Sequence, residues 1–197
     1  MKVGIIGKQG RLGRVLQAIL DENGFDVVEN NWDIAFLSVP IGAAISYIEK
    51  YDGPFIEVSS VKTPFKKYAG RIVSIHPLFG PASYKDGVHR TVLFIKDISM
   101  PEYRDLIAEM FRGYEIVDTT ADVHDKEMAK SLALPYAVAI ISKNIDTAFR
   151  TKSFDTFKGI VRILENENEE VMLDTINKNP YAQYMYDIVK NLGMVIQ

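Results

Sequence analysis

The 197-residue chain contains no cysteine, which excludes disulfides, thiolate metal sites and a cysteine nucleophile. Histidine is scarce. His76, His89 and His124 lack metal-ligand spacing, so no metal centre is expected. No long basic run occurs, Lys66-Lys67 is too short to track phosphates, and the net charge is −3, which argues against nucleic acid as the main partner. No apolar run is long enough to cross a bilayer. Met1-Lys2-Val3-Gly4-Ile5 enters a strand directly and does not read as a signal peptide. A cytoplasmic protein with no membrane partner is the expectation. With 47% hydrophobic residues, the chain can build one large core or two small ones.

What is present is alternation. Strand-like runs fall at 2–6, 25–28, 33–39, 54–58, 71–75, 91–95 and 114–117. A helix over 11–22 carries Leu12, Val15, Leu16, Ile19 and Leu20 on one stripe, and Asn23-Gly24 stops it. The stretch between the second and third strands is too short for a helix. Pro101 opens a further helix and Gly113 closes it. Alternating strands and helices predict an α/β fold, a doubly wound and mainly parallel sheet covered on both faces, over residues 1–119.

After residue 119 no further strand is visible, and residues 120–197 read as a small all-α domain. A helix capped by Thr120 or Asp122 is predicted to run to about Arg150, kinked by Pro135. Two more are predicted at 154–165 and 168–178. A last one carries Tyr181, Tyr184, Met185, Ile188, Val189 and Leu192 at helical spacing. Too little chain remains to cover that stripe, so a partner subunit, giving a homodimer through the C-terminal helices, is expected. The alternative is that the stripe folds back on the first helical segment.

Gly7-Lys8-Gln9-Gly10-Arg11-Leu12-Gly13 joins the first strand to the first helix. Glycines suit a backbone that turns sharply and lies against a pyrophosphate, whose charge then rests on free N–H groups at the helix start. The spacing is one residue off the common G-x-G-x-x-G form, and a tight packing turn is the competing explanation. Glu29, after the second strand, is placed to accept ribose hydroxyls and repel a 2′-phosphate, which favours NAD over NADP. It could equally be a solvated carboxylate. Ser38-Val39-Pro40 ends the third strand and is expected under the nicotinamide half.

His76-Pro77-Leu78-Phe79-Gly80-Pro81 follows the strand at 71–75. A histidine on a stiff loop at the ligand edge of such a sheet is a candidate proton acceptor. A hydrogen-bonded loop histidine is the plainer alternative. His89 has no constellation around it and reads as surface.

With the glycine turn, the segments Ser59-Ser60-Val61-Lys62, His76 to Pro81 and His124-Asp125-Lys126-Glu127-Met128-Ala129 occur in an order that resembles the prephenate/arogenate dehydrogenases of tyrosine biosynthesis. That resemblance implies a Rossmann domain, a helical dimerisation domain and NAD-dependent oxidative decarboxylation of prephenate, with arogenate as the alternative substrate. It implies His76 as the catalytic base and Ser60 as its partner at the substrate hydroxyl. It further implies Arg162, His124 and Tyr136 as substrate-binding residues, Arg162 gripping a carboxylate. Relatives often carry a histidine where this chain has Tyr136. Taken singly, Ser60 could be a turn serine, Arg162 a surface ion pair and His124 a helix cap. A non-catalytic dinucleotide-binding module is the rival from another class.

Overall fold

The computed structural model describes residues 1–80, 83, 84, 90–165, 167–184 and 187. It comprises two units, Met1–His124 and Asp125–Gln197.

The first unit is a seven-stranded sheet: β1 (Lys2–Ile6), β2 (Asp26–Val27), β3 (Ile34–Leu37), β4 (Phe55–Glu57), β5 (Val73–Pro77), β6 (Thr91–Ile95) and β7 (Glu115–Thr119). Their order is β2-β1-β3-β4-β5-β6-β7. Every pairing is parallel except β5 with β6. All seven strands predicted from the sequence are therefore found. The third stops at Leu37, two residues short of the prediction, although the Ser38 N–H still bonds the Ile6 carbonyl at 2.9 Å. The fifth begins two residues late and takes His76 and Pro77 into the ladder, with His76 opposite Leu93.

Alternating side chains feed two cores, one on each face. On one face Phe36 packs with Leu16, Ile19 and Leu20 of α1 (Arg11–Glu22) and Ile107 and Met110 of α3 (Arg104–Met110). On the other, Ala35 and Leu37 meet Ile41, Ala44 and Ile48 of α2 (Ile41–Lys50). The second and third strands are joined with no helix, as expected, and Trp32 covers that region of the sheet instead. A Cβ on Gly4 would lie 2.6 Å from the Trp32 ring, and the indole also meets Phe55 at 5.6 Å between centroids. Glycine at position 4 is what leaves room for the indole against β1.

β7 leads into α4 (Ala121–Met128), whose first turn is capped twice. Thr120 Oγ1 accepts from the Val123 N–H at 3.3 Å and Asp97 Oδ1 from the Ala121 N–H at 2.8 Å.

The second unit is helical. After α4 the chain takes one widened π-turn over Ala129–Ala133 and continues as α5 (Leu134–Asn144). Pro135 explains the widening: it has no N–H to donate and its ring would press on the carbonyl of Ser131. The helix predicted to reach Arg150 instead ends at Asn144. Lys158 Nζ takes the carbonyls of Ser142 at 2.7 Å and Ile145 at 2.8 Å, so an ammonium group terminates the helix.

The helix predicted at 154–165 is two, α6 (Lys152–Gly159) and α7 (Arg162–Glu165), interrupted after the poor helix former Gly159. The next, α8 (Glu169–Asn177), starts at Asn168, whose side chain accepts from the Glu170 and Val171 N–H groups. Of the final predicted helix, Tyr181 and Tyr184 are described, whereas Met185, Ile188, Val189 and Leu192 lie outside the described residues, as do Pro81 and His89. Among the described residues no helix is long and apolar enough to cross a membrane.

Candidate functional site

β1 lies between β2 and β3, so the chain leaves it in one direction through α1 and returns on the other side. Such a reversal opens a crevice at the carboxyl ends of the strands. The glycine turn occupies that place. Gly7 has φ +88°, and the Gly10 N–H bonds the Gly7 carbonyl at 2.8 Å, which closes the turn. Gly10 then caps α1 without any side-chain acceptor, and there is no acidic residue in the helix's first turn. The first N–H groups of α1, beside the exposed Arg11, therefore present a positive end to solvent.

The glycines also serve packing. A Cβ on Gly7 would lie 2.2 Å from the Ser38 carbonyl oxygen, and one on Gly13 would lie 2.3 Å from that of Gly7. The turn thus sits directly against Ser38 and Val39, which with Pro40 are half-buried at the end of β3. Lys8 and Leu12 are half-buried and Gln9 is exposed. Glu29 is exposed two residues beyond β2, at the same sheet edge. Both the uncapped helix end and the close turn fit a dinucleotide pyrophosphate.

Three strand spacings along that edge, about 14 Å, separate β1 from β5, which carries His76. The imidazole is buried, and its Nδ1 lies 2.9 Å from Nε2 of His124 on α4, itself buried. The rings meet edge to face with centroids 5.0 Å apart. Burial, the neighbouring His124 and then Lys62 hold the His76 pKa well below the ordinary histidine value. The contact of the two ring nitrogens takes one hydrogen between them, so one nitrogen donates and the other accepts. If His76 Nδ1 donates, its Nε2 retains a lone pair, which is the tautomer a general base requires.

Behind His76 lies a buried polar cluster. Glu57, the last residue of β4, and Lys62 are both fully buried and form an ion pair of 2.7 Å. Lys62 Nζ also donates to the Ile75 carbonyl at 2.7 Å. Glu57 accepts further from the Ser74 hydroxyl and, at 2.9 Å, from the Ser59 N–H. Removing one partner of such a pair leaves an isolated charge and costs about 3–5 kcal/mol, while replacing both is close to neutral.

In this segment the sequence points to Ser60, whereas the structure adds Glu57. A glutamate inside the apolar run Phe55-Ile56-Glu57-Val58 was the available signal, because a buried carboxylate requires a partner. Ser60 is half-buried in the turn after β4. Ser59 Oγ is buried with no hydrogen-bond partner among the described residues, leaving a polar atom at this edge open to a ligand.

The remaining assigned residues belong to the helical unit. Tyr136 on α5 is 4% exposed, and burial together with the hydrogen-bonded Glu167 carboxylate raises its pKa. Arg162 begins α7, which packs against α5, and its side chain is exposed with no ion pair among the described residues. The structure thus pairs His76 with His124, and sets the glycine turn against Ser38 and Val39. Tyr136 and Arg162 sit on neighbouring helices of the second unit. Among the described residues no cluster of metal-ligating side chains occurs.

The first unit has the Rossmann-like α/β fold. Over the whole chain it is a prephenate/arogenate dehydrogenase-like fold, as comparison with solved structures shows. The prephenate dehydrogenase of Aquifex aeolicus, in complex with hydroxyphenyl propionate and NAD+, superimposes with a TM-score of 0.76 at 15% identity, over 98% of this chain and 88% of that one. The arogenate dehydrogenase of Synechocystis gives 0.67 at 18% identity, covering 100% and 91%. A pyrroline carboxylate reductase of Plasmodium falciparum with NADP bound gives 0.51 at 15% identity, covering 100% and 92%. No family model and no curated protein matches the sequence.

Proposed function

We propose that the chain is a cytoplasmic NAD-dependent dehydrogenase that converts prephenate to 4-hydroxyphenylpyruvate with loss of carbon dioxide. The observation that carries this reading is the buried, neutral His76 paired with His124, on the sheet edge that also bears the glycine turn. The likeness of fold to prephenate and arogenate dehydrogenases supports the same choice.

The first N–H groups of α1 would hold the pyrophosphate, Gly7 to Gly13 the turn around it, and Glu29 a ribose. NAD supplies a hydride acceptor when bound. His76 accepts the proton of the ring hydroxyl as hydride leaves the carbon bearing it. The electron-withdrawing ketone forming there draws the electrons of the breaking C–CO2 bond across the ring onto its oxygen, which takes the proton back from His76, and aromatisation drives the step. His124 holds the Nδ1–H tautomer and accepts that hydrogen bond before and after proton transfer. Ser60 orients the hydroxyl. Arg162, with its planar guanidinium, suits a two-pronged grip on a substrate carboxylate.

Purified chain given prephenate or arogenate, each with NAD or NADP, tests the reading by NADH or NADPH absorbance. Turnover of prephenate with NAD is the expected result. Turnover of arogenate alone would reassign the substrate, and binding of NAD without turnover of either would leave a non-catalytic module. Arg162→Gln is expected to raise KM for the substrate about 10–100-fold with little change in NAD affinity. An unchanged KM would remove the carboxylate assignment.

A homodimer through the helical unit belongs to the same proposal. Ile141 (52% exposed), Phe149 (89%) and Leu173 (42%) leave apolar surface uncovered on α5, beyond its end and on α8. Sedimentation equilibrium is expected to give twice the chain mass of 22.2 kDa, and a monomer at every concentration would exclude it.

A further inference from the structure

We propose that Lys62 and Glu57 are positioning residues for His76, a clamp that fixes the peptide immediately before the imidazole. The inference rests on the reading of His76 as the base. Lys62 Nζ binds the Ile75 carbonyl, the acceptor of the peptide that leads into His76, at 2.7 Å. The same nitrogen is fixed by Glu57 at 2.7 Å. Glu57 also gathers the Ser74 hydroxyl and the Ser59 N–H. One carboxylate therefore ties the end of β4 to the turn bearing Ser60 and to Ser74, and through Lys62 to Ile75.

Ordinary ladder bonds do not account for this investment. β4 and β5 are already paired at Ile56 with Val73 and Glu57 with Ser74. Two fully buried charges are a costly way to join strands that pair unaided. A charge-assisted bond to the Ile75 carbonyl, however, restrains rotation about the peptide that aims the imidazole. Positioning within a fraction of an ångström is what a proton transfer demands.

The ammonium has a second effect, electrostatic in origin. Among the described residues, the charged and titratable groups acting on the His76 ring are His124 from α4 and Lys62 from the turn after β4, with Glu57 bonded to Lys62. Its ladder neighbour on β6, Leu93, brings no charge. Lys62 disfavours the imidazolium and so helps keep the ring a proton acceptor.

The test compares the full chain with the Lys62→Met/Glu57→Gln double variant, which removes both charges together, and with Glu57→Gln. Two readouts are taken: kcat/KM for prephenate with NAD as a function of pH, and the NMR titration of the His76 ring in the chain alone. In the double variant kcat/KM is expected to fall at least about 10-fold, and the His76 midpoint to rise by about half a pH unit. Glu57→Gln leaves the ammonium without its counter-charge and is expected to move the midpoint down; the double variant, which strands no buried charge, supplies the reading should Glu57→Gln not fold.

A merely structural pair would lower Tm and leave both midpoint and kcat/KM in place, and that result overturns the proposal. Should the chain turn over neither prephenate nor arogenate, the titration still decides. A shifted midpoint then upholds the action of Lys62 on His76 while the proposed activity falls, and an unmoved one overturns the proposal.

Discussion

His76→Asn is expected to lower kcat by about 10²–10⁴ while NAD affinity measured by calorimetry stays unchanged. Asparagine keeps a polar group toward His124 but has no basic nitrogen, so the proton of the substrate hydroxyl has nowhere to go. The unaltered chain should show kcat/KM falling on the acid side as His76 becomes protonated. Because burial, His124 and Lys62 all oppose the imidazolium, that limb lies below the ordinary histidine value of about 6.5. The variant should lose the limb together with the rate.

Stability carries the same sign. A histidine whose folded pKa is depressed contributes fully above the unfolded value of about 6.5 and loses that contribution as pH falls toward the folded pKa. Acid unfolding of His76→Asn should accordingly begin at lower pH than that of the parent. Full activity in this variant would show that another group takes the proton.

Gly7→Ala should be the most damaging change in the glycine turn, lowering stability by about 2–4 kcal/mol and weakening NAD binding at least about 10-fold. Two effects combine there. The backbone has φ +88°, where a side chain is strained, and the new Cβ would lie 2.2 Å from the Ser38 carbonyl oxygen, which cannot move without shifting β3. Gly24 separates the two. Its φ is +81°, yet a Cβ there meets nothing within 4 Å, so Gly24→Ala should lose only about 1 kcal/mol. Chemical denaturation of both variants measures the difference. Equal losses would mean that strain alone governs position 7 and that the approach to Ser38 is unimportant.

The sheet was legible because its signal is local. Apolar runs bounded by glycine, asparagine and proline marked all seven strands, and the α1 stripe ran from Leu12 to Leu20 as the burial of Leu16, Ile19 and Leu20 bears out. Helix ends were less legible when their cause was distant. The stop at Asn144 depends on Lys158, an ammonium on a later helix, and no pattern near residue 144 announces it.

The candidate site divides in the same way. The glycine turn and His76 stand out along the chain, whereas His124 reaches His76 only because β7 and the first turn of α4 bring it back across 48 positions. Glu57 and Lys62 are five residues apart, but their joint contact with Ile75 is a product of strand pairing. Along the chain, Glu57 is marked only by its apolar neighbours and Lys62 only by its place in the Ser59-Ser60-Val61-Lys62 segment.

Trp32 offers an experimental handle. The chain has one tryptophan, and it rests on Gly4, three residues before the glycine turn. Intrinsic fluorescence excited at the indole therefore originates in the sheet unit alone. Melting of that unit can be followed optically without a contribution from the helices after His124, and energy transfer from the indole to a reduced nicotinamide would report occupancy without any attached dye.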